Sequence, residues 1–229
     1  MLAVLYDLHG NLPALEAVLE DAERAGATRY LLGGDYAAMG AWPIQTVTML
    51  SALPDATWIA GNHERWLAGD THDVPPGPVV RPAIAAEARG LDDATTARIL
   101  GLPSTAWDES TLFCHASPRS DMVSFGRAVE PEDRERLGDV AGARRVVFGH
   151  THIQFRRRGP DGVELVNPGS VGLPLDGDPR AAYALMTDDG DLTLHRVAYD
   201  TELAAAALEG FGEAWATAIA RWVRDGRAS

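Results

Sequence analysis

Residues 2–6 form a short, unbroken apolar run that ends at Asp7, the pattern of a strand buried on both faces. Leu12, Leu15, Val18 and Leu19 then recur at helical spacing as far as Gly26, which stops the helix. Tyr30, Leu31 and Leu32 predict a second buried strand that runs into Gly33, Gly34 and Asp35. Strand, helix and strand in this order imply a right-handed parallel crossover. The unit repeats, with a helix over residues 44–52 and a strand over residues 57–60 leading into Gly61 and Asn62.

From residue 70 to 82 the chain is rich in Pro, Gly and Asp, which predicts a mobile loop or small cap reaching to about residue 105, with short helices around Ile84 and Ala94. Short strands follow over residues 112–114, 145–148, 163–166, 183–186 and 192–197. Asp161-Gly162 and Asp188-Asp189-Gly190-Asp191 supply hairpin turns. A parallel first half meeting a second half richer in antiparallel pairs predicts an α/β (α+β) fold of two mixed sheets packed face to face with helices outside. No repeat or low-complexity linker divides residues 1–229, so a single domain is expected. The tail, residues 201–224, sets Leu208, Phe211, Trp215, Ile219 and Trp222 on one face of one helix, which covers its own sheet or else forms a dimer. Monomer and homodimer both stay open.

Composition narrows the chemistry. Thirty-three acidic residues against 20 basic ones leave a net charge of −13, a poor match to the phosphates of long nucleic acid. The sequence contains no lysine, which excludes a phosphate-binding Walker loop, Schiff-base catalysis and a metal pair bridged by a carboxylated lysine. Cys114 is the single cysteine, so no internal disulfide forms. No apolar run reaches the roughly 18 residues of a membrane span, and Met1 leads straight into a strand with no basic leader. The expected location is cytoplasmic, with no membrane partner.

Five places join an apolar run to metal-ligating residue types: Asp7-Leu8-His9, Gly34-Asp35, Gly61-Asn62-His63-Glu64, Cys114-His115 and Gly149-His150-Thr151-His152. Strand ends are rigid and let side chains converge. Asp, Asn and His offer the oxygen and nitrogen donors that divalent transition metals accept. Any one of the five reads equally as a turn or a hydrogen-bonded core residue. Together they hold five of the seven histidines, leaving only His72 and His195 elsewhere.

In this order the five motifs resemble the calcineurin-like metallophosphoesterase superfamily. The opening Asp7-Leu8-His9-Gly10-Asn11 and the later Asn167-Pro168-Gly169-Ser170-Val171-Gly172 are similar to its small bacterial and archaeal phosphodiesterase branch. The resemblance implies a four-layer α-β-β-α sandwich. It also implies two divalent cations, one on Asp7, His9, Asp35 and His152 and the other on Asp35, Asn62, His115 and His150, with Asp35 bridging. Manganese is the expected metal in vitro, with iron, zinc, nickel or cobalt as alternatives. The implied reaction is in-line attack of a metal-bridging hydroxide on a phosphodiester, a nucleotide or a phosphomonoester. His63 would protonate the leaving oxygen or stabilise the transition state, oriented by Glu64 or by a neighbour of Asp35.

Further substrate contacts are expected from Asn11, Arg65 and Arg119, while Tyr36, Trp42 and Trp66 read as packing residues, with base stacking as the alternative. Arg156, Arg157 and Arg158 read as a solvated strand edge. A metallo-β-lactamase pattern fails because His150-Thr151-His152 continues as Ile153-Gln154-Phe155, and a serine-esterase elbow fails because Pro168 stands where a glycine belongs. The phosphoprotein-phosphatase form of the Gly-Asp motif is absent after Asp35. A metal-binding scaffold without turnover is the alternative reading.

Overall fold

The structure, a computed structural model, describes residues 1–228. Two five-stranded mixed sheets stack face to face. The first contains β1 (Leu2–Leu5), β2 (Arg29–Leu32), β3 (Ala56–Trp58), β9 (Ala181–Met186) and β10 (Leu192–Val197), in the order β10-β9-β1-β2-β3. The second contains β4 (Thr105–Asp108), β5 (Thr111–Cys114), β6 (Arg145–Val147), β7 (Phe155–Arg158) and β8 (Glu164–Asn167), in the order β4-β5-β6-β8-β7. Parallel pairing joins β1 to β2, β2 to β3, β5 to β6 and β6 to β8, while β1–β9, β9–β10, β4–β5 and β7–β8 are antiparallel.

The layering follows from the period of two along each strand. Leu2, Val4 and Tyr6 face the second sheet, where they meet Phe113, Val147 and Val166, while Ala3 and Leu5 face outward onto helices. That outer layer is α1 (Leu12–Arg24) and α2 (Pro43–Ser51), with Leu15, Val18 and Leu19 buried at the predicted spacing. On the far side Leu112, Cys114, Val146, Phe148 and Leu165 pack under α6 (Asp133–Leu137) and the loop that carries Phe125. The Tyr6 hydroxyl donates to Val147 O at 3.0 Å and ties the sheets together.

The chain's two halves do not map onto the two sheets. The last strands, β9 and β10, return to extend the sheet of β1, with Leu2 opposite Met186. The predicted cap resolves into α4 (Val80–Gly90) and α5 (Asp93–Ile99), packed on the rest of the chain. Ile99 joins the core of the first sheet, and Ala60 N donates to Pro103 O. The single tail helix is a correction: Gly210 and Gly212 break it into α7 (Thr201–Glu209) and α8 (Ala214–Asp225), which pack against each other. Phe211 therefore falls in the connecting turn and is exposed, while Leu208, Trp215 and Ile219 stay buried. Among the described residues no helix is long and apolar enough to cross a membrane.

Glu87 shares the buried face of α4 with Ala83 and Ile84, and its Oε2 has no hydrogen-bond partner. Burial, with Glu64 and Asp35 adding repulsion, pushes its carboxyl well above the usual range. A raised native pKa means stability that is complete below the unfolded value and declines as pH rises. Glu87→Met is therefore expected to raise unfolding free energy at pH 8 by about 1–3 kcal/mol, the cost of a buried polar group without a partner, and by less at pH 4. Urea titrations at both values check this, and an equal gain at the two would refute it.

Candidate metal centre

Every residue in the five motifs leaves a strand at its C-terminal end. Asp7 and His9 follow β1, Asp35 follows β2, His115 follows β5, and His150 and His152 follow β6. Asn62 and His63 open α3 (Asn62–Leu67), directly after β3. The parallel strands of the two sheets point the same way, so these ends converge. Asp7, His9, Asp35, Asn62, His63, His115 and His152 are each buried, with only His150 part-exposed.

The convergence requires an unusual backbone. Asp7, His9, Asp35, His150 and His152 all have positive φ, between 48° and 67°. Glycines make room between the loops: a Cβ at Gly61 would stand 2.2 Å from Asp35 Oδ1, and one at Gly149 would stand 2.5 Å from Asp7 Oδ2.

Three imidazoles are fixed from behind. His9 Nδ1 donates to Ala38 O (3.0 Å), His115 Nδ1 to Gly33 O (2.8 Å) and His152 Nδ1 to Leu173 O (2.6 Å). A backbone acceptor on Nδ1 turns Nε2 inward, as metal-ligating histidines are usually held, and in His9 and His152 it leaves a lone pair there. His9 Nε2 and His152 Nε2 lie 3.1 Å apart. Burial, followed by repulsion from His63 on His9 and from His9 on His152, lowers both to about 3. At neutral pH two bare lone pairs thus face each other, an arrangement that a cation relieves. Asn62 Oδ1 lies 2.9 Å from both His115 Nε2 and His150 Nδ1. Asp35 Oδ2 lies 3.9 Å from His9 Nε2, 3.5 Å from His115 Nε2 and 3.6 Å from His63 Nε2.

Three groupings have ligand atoms within 4.8 Å of one another: Asp7–His9–His152, His9–Asp35–His63 and Asp7–Asp35–His115. The donor set therefore fits divalent cations. Asp7 stands as close to His115 (3.8 Å) as to His152 (3.7 Å), so it serves either grouping. Electrostatics divide the cluster. Burial disfavours charge on Asp35, but His115 and His63 outweigh it and hold the carboxyl well below its usual range. Burial dominates at Asp7 and raises it. Burial opposes protonation of His115 as well, yet Asp35 and Asp7 pull it up to about 10, so a cation taking Nε2 must displace a proton.

Glu64 holds the scaffold rather than the metal or His63. Its carboxylate accepts from Gly61 N (2.7 Å), Asp35 N (2.9 Å) and Tyr36 N (3.0 Å), locking the start of α3 to the loop after β2. Burial, then the charge of Asp35, raises it to about 7. The segment after β8 does comparable work. Asn167 Nδ2 donates to Gly149 O (2.9 Å), Ser170 Oγ donates to Asp7 O (2.7 Å), and Gly172 N donates to Asp7 O (3.0 Å).

The other expected contacts separate. Asn11 Oδ1 caps α1 by accepting from Ala14 N, and its Nδ2 donates to Gly172 O and Tyr199 Oη, which leaves its amide committed to the scaffold. Arg65 is clamped by Asp73 (2.7 Å) and Asp121 (2.6 Å), so its guanidinium is already neutralised. Arg119 is exposed on the rim of a cleft beside the cluster. Tyr36 and Trp66 are buried, the first donating to Leu32 O and Ile59 O and the second to Asp73, so neither can stack a base. Trp42 is half-buried at the start of α2.

Carboxylates and imidazoles gathered at the strand ends of a two-sheet sandwich define a metal-assisted hydrolase. The family model of the calcineurin-like phosphoesterase superfamily domain matches residues 1–191, and the chain belongs to that superfamily, as a hydrolase acting on phosphoric esters. Membership implies divalent metal. The uncharacterized protein MJ0912 of Methanocaldococcus jannaschii is 28% identical over 224 residues, covering 89% of this chain and 90% of its own. Phosphodiesterase YfcE of Escherichia coli is 28% identical over 186 residues, covering 80% and 85%. The crystal structure of a metallophosphoesterase from Sphaerobacter thermophilus superposes with a TM-score of 0.81 at 26% identity, over 98% of this chain and 99% of that one.

Proposed function

We propose that the protein, acting as one domain over its whole length, is a dinuclear-metal phosphodiesterase of small substrates in the cytoplasm. The observation that carries this is the pair of bare imidazole nitrogens of His9 and His152, 3.1 Å apart beside Asp7 and Asp35. Similarity to phosphodiesterase YfcE supports the choice of a diester. Asp7, His9, Asp35 and His152 would hold one cation, and Asp35, Asn62, His115 and His150 the other. Bound there, divalent cations supply positive charge against phosphate oxygens and lower the pKa of water.

The remaining work belongs to the chain. Asp35 is fixed from two sides, since Oδ1 accepts from His63 N (3.0 Å) and its own amide is held by Glu64. His63 packs edge-on to His9, with centroids 5.1 Å apart, and against Trp66, with centroids 4.9 Å apart. Burial lowers it to about 4, so at neutral pH it offers an N–H to the leaving or phosphoryl oxygen rather than a positive charge.

Metal-stripped protein should hydrolyse an aryl phosphodiester only after manganese is restored, faster than the matching monoester, and Asp35→Asn should abolish turnover. Equal rates with and without metal would sink the reading, and a faster monoester would sink the diester assignment.

A further inference from the structure

We propose that Arg119 recognises a second anionic group on the substrate, in the cleft that opens beside the metal-ligand cluster. This rests on the phosphoesterase reading above and specifies its substrate class: a phosphoester that carries another oxyanion, phosphate or carboxylate, a short distance from the scissile phosphorus.

The cleft has a volume of about 410 Å³, and Gly61 and His115 form one of its walls. A phosphoryl group at the cluster therefore leaves the rest of the molecule in this space. Ala60, Leu102 and Pro118 add apolar surface, Ser117 adds a hydroxyl, and the His115 imidazole is the one ring among the lining residues, with no Trp, Tyr or Phe beside it. No Trp, Tyr or Phe offers a nucleobase a stacking face there, and His115 is turned to the cluster through Asn62 and Asp35, so recognition falls to charge.

The charged groups lining the cleft are unequal. Glu64 is buried beneath three backbone amides, and Arg65 and Asp121 neutralise each other at 2.6 Å. Arg119 remains, exposed at the rim and in no ion pair with a carboxylate among the described residues, with Glu132 and Glu135 lining a second cleft on its other side.

Its position is prepared. Arg119 sits with Pro118 at the tip of a turn closed by Ser117 N to Ser120 O (2.9 Å) and Ser120 N to Ser117 O (3.2 Å). Ser120 Oγ accepts from Met122 N (3.0 Å) and Val123 N (2.9 Å), and Ser124 Oγ donates to Ala116 O (3.0 Å). The side chain lies against Gly138, where a Cβ would stand 2.9 Å from Arg119 Cδ and 3.5 Å from its Nη1. A guanidinium held by its stem loses little freedom on binding, and its planar fork matches an oxyanion with two parallel hydrogen bonds.

The test uses non-hydrolysable probes and reads binding. Phosphonoalkanoates with two to five methylenes, each beside the alkylphosphonate of equal length, are titrated calorimetrically into manganese-loaded wild-type protein, Arg119→Ala and Arg119→Lys. At one length or more the wild type should bind the phosphonoalkanoate at least tenfold tighter than its partner. The preference should vanish in Arg119→Ala and partly return in Arg119→Lys. Binding of both probe classes without preference at any length, or a preference that survives Arg119→Ala, overturns the assignment while leaving the phosphoesterase reading intact. Absence of metal-dependent binding by any phosphonate overturns both.

Discussion

Glu64→Ala is expected to cost about 3–9 kcal/mol of stability, because three buried backbone N–H groups lose their acceptor at once and each orphan costs ~1–3 kcal/mol. Glu64 is 3% exposed, and its carboxylate is the acceptor for Gly61 N, Asp35 N and Tyr36 N. A domain of this size has roughly 5–15 kcal/mol in total, so the variant should be close to unfolding at 37 °C. Glu64→Gln keeps the shape and one oxygen but turns a donor toward an N–H, and should lose about half as much. Urea denaturation of the three proteins decides the matter, and an alanine variant within about 1 kcal/mol of wild type would contradict it. Metal content should fall in parallel, since the Asp35 amide is one of the groups released.

His63→Ala should behave in the opposite way, with the fold and metal content retained and kcat reduced by about 10²–10³, the usual range for a preorganised hydrogen-bond donor to developing negative charge. The backbone bond from residue 63 to Asp35 Oδ1 survives this substitution, which is why the cluster should stay assembled. Because burial holds the imidazole neutral above about pH 4, the wild-type to variant ratio should be constant from pH 6 to 9. The loss should grow as the leaving group becomes more basic, from nitrophenyl to alkyl esters. Unchanged turnover, metal displaced together with activity, or a ratio that tracks a titration near pH 6.5 would each remove His63 from this role.

Much of the fold was readable because the local pattern and the tertiary environment agree. Strand β1 is apolar at every position since one face meets α1 and the other meets β5 and β6. The five motifs stand out because each follows such a run. Elements whose stability comes from distant partners gave no local signal. Strand β7 is a partial exception: its three arginines read as a strand edge and β7 is the outermost strand of its sheet, but its partner β8 and the bond from Arg156 to Glu164 could not be read locally. Helix α3 is only six residues long and is pinned by Glu64 to another loop. The pairing of β1 with β9 spans almost the whole chain.

Among the site residues, the limits were of the same kind. Arg65 looks free in the sequence, yet one of its partners, Asp121, is 56 residues away. Tyr36 and Trp66 look like loop aromatics and prove to be core. For Glu64 the motif was visible but its task was not, because backbone amides leave no trace in residue types.

The five positive-φ residues at the centre have a consequence for how this protein can change. A left-handed backbone costs a side-chain-bearing residue about 1 kcal/mol that glycine would not incur, and here it falls on Asp7, His9, Asp35, His150 and His152 together. Conformational preference alone would favour glycine at all five, so a lineage freed from catalysis would have a backbone incentive to erase its own ligands. A mutational library sorted first for thermal tolerance and then for metal uptake would show the two pressures diverging at these five codons.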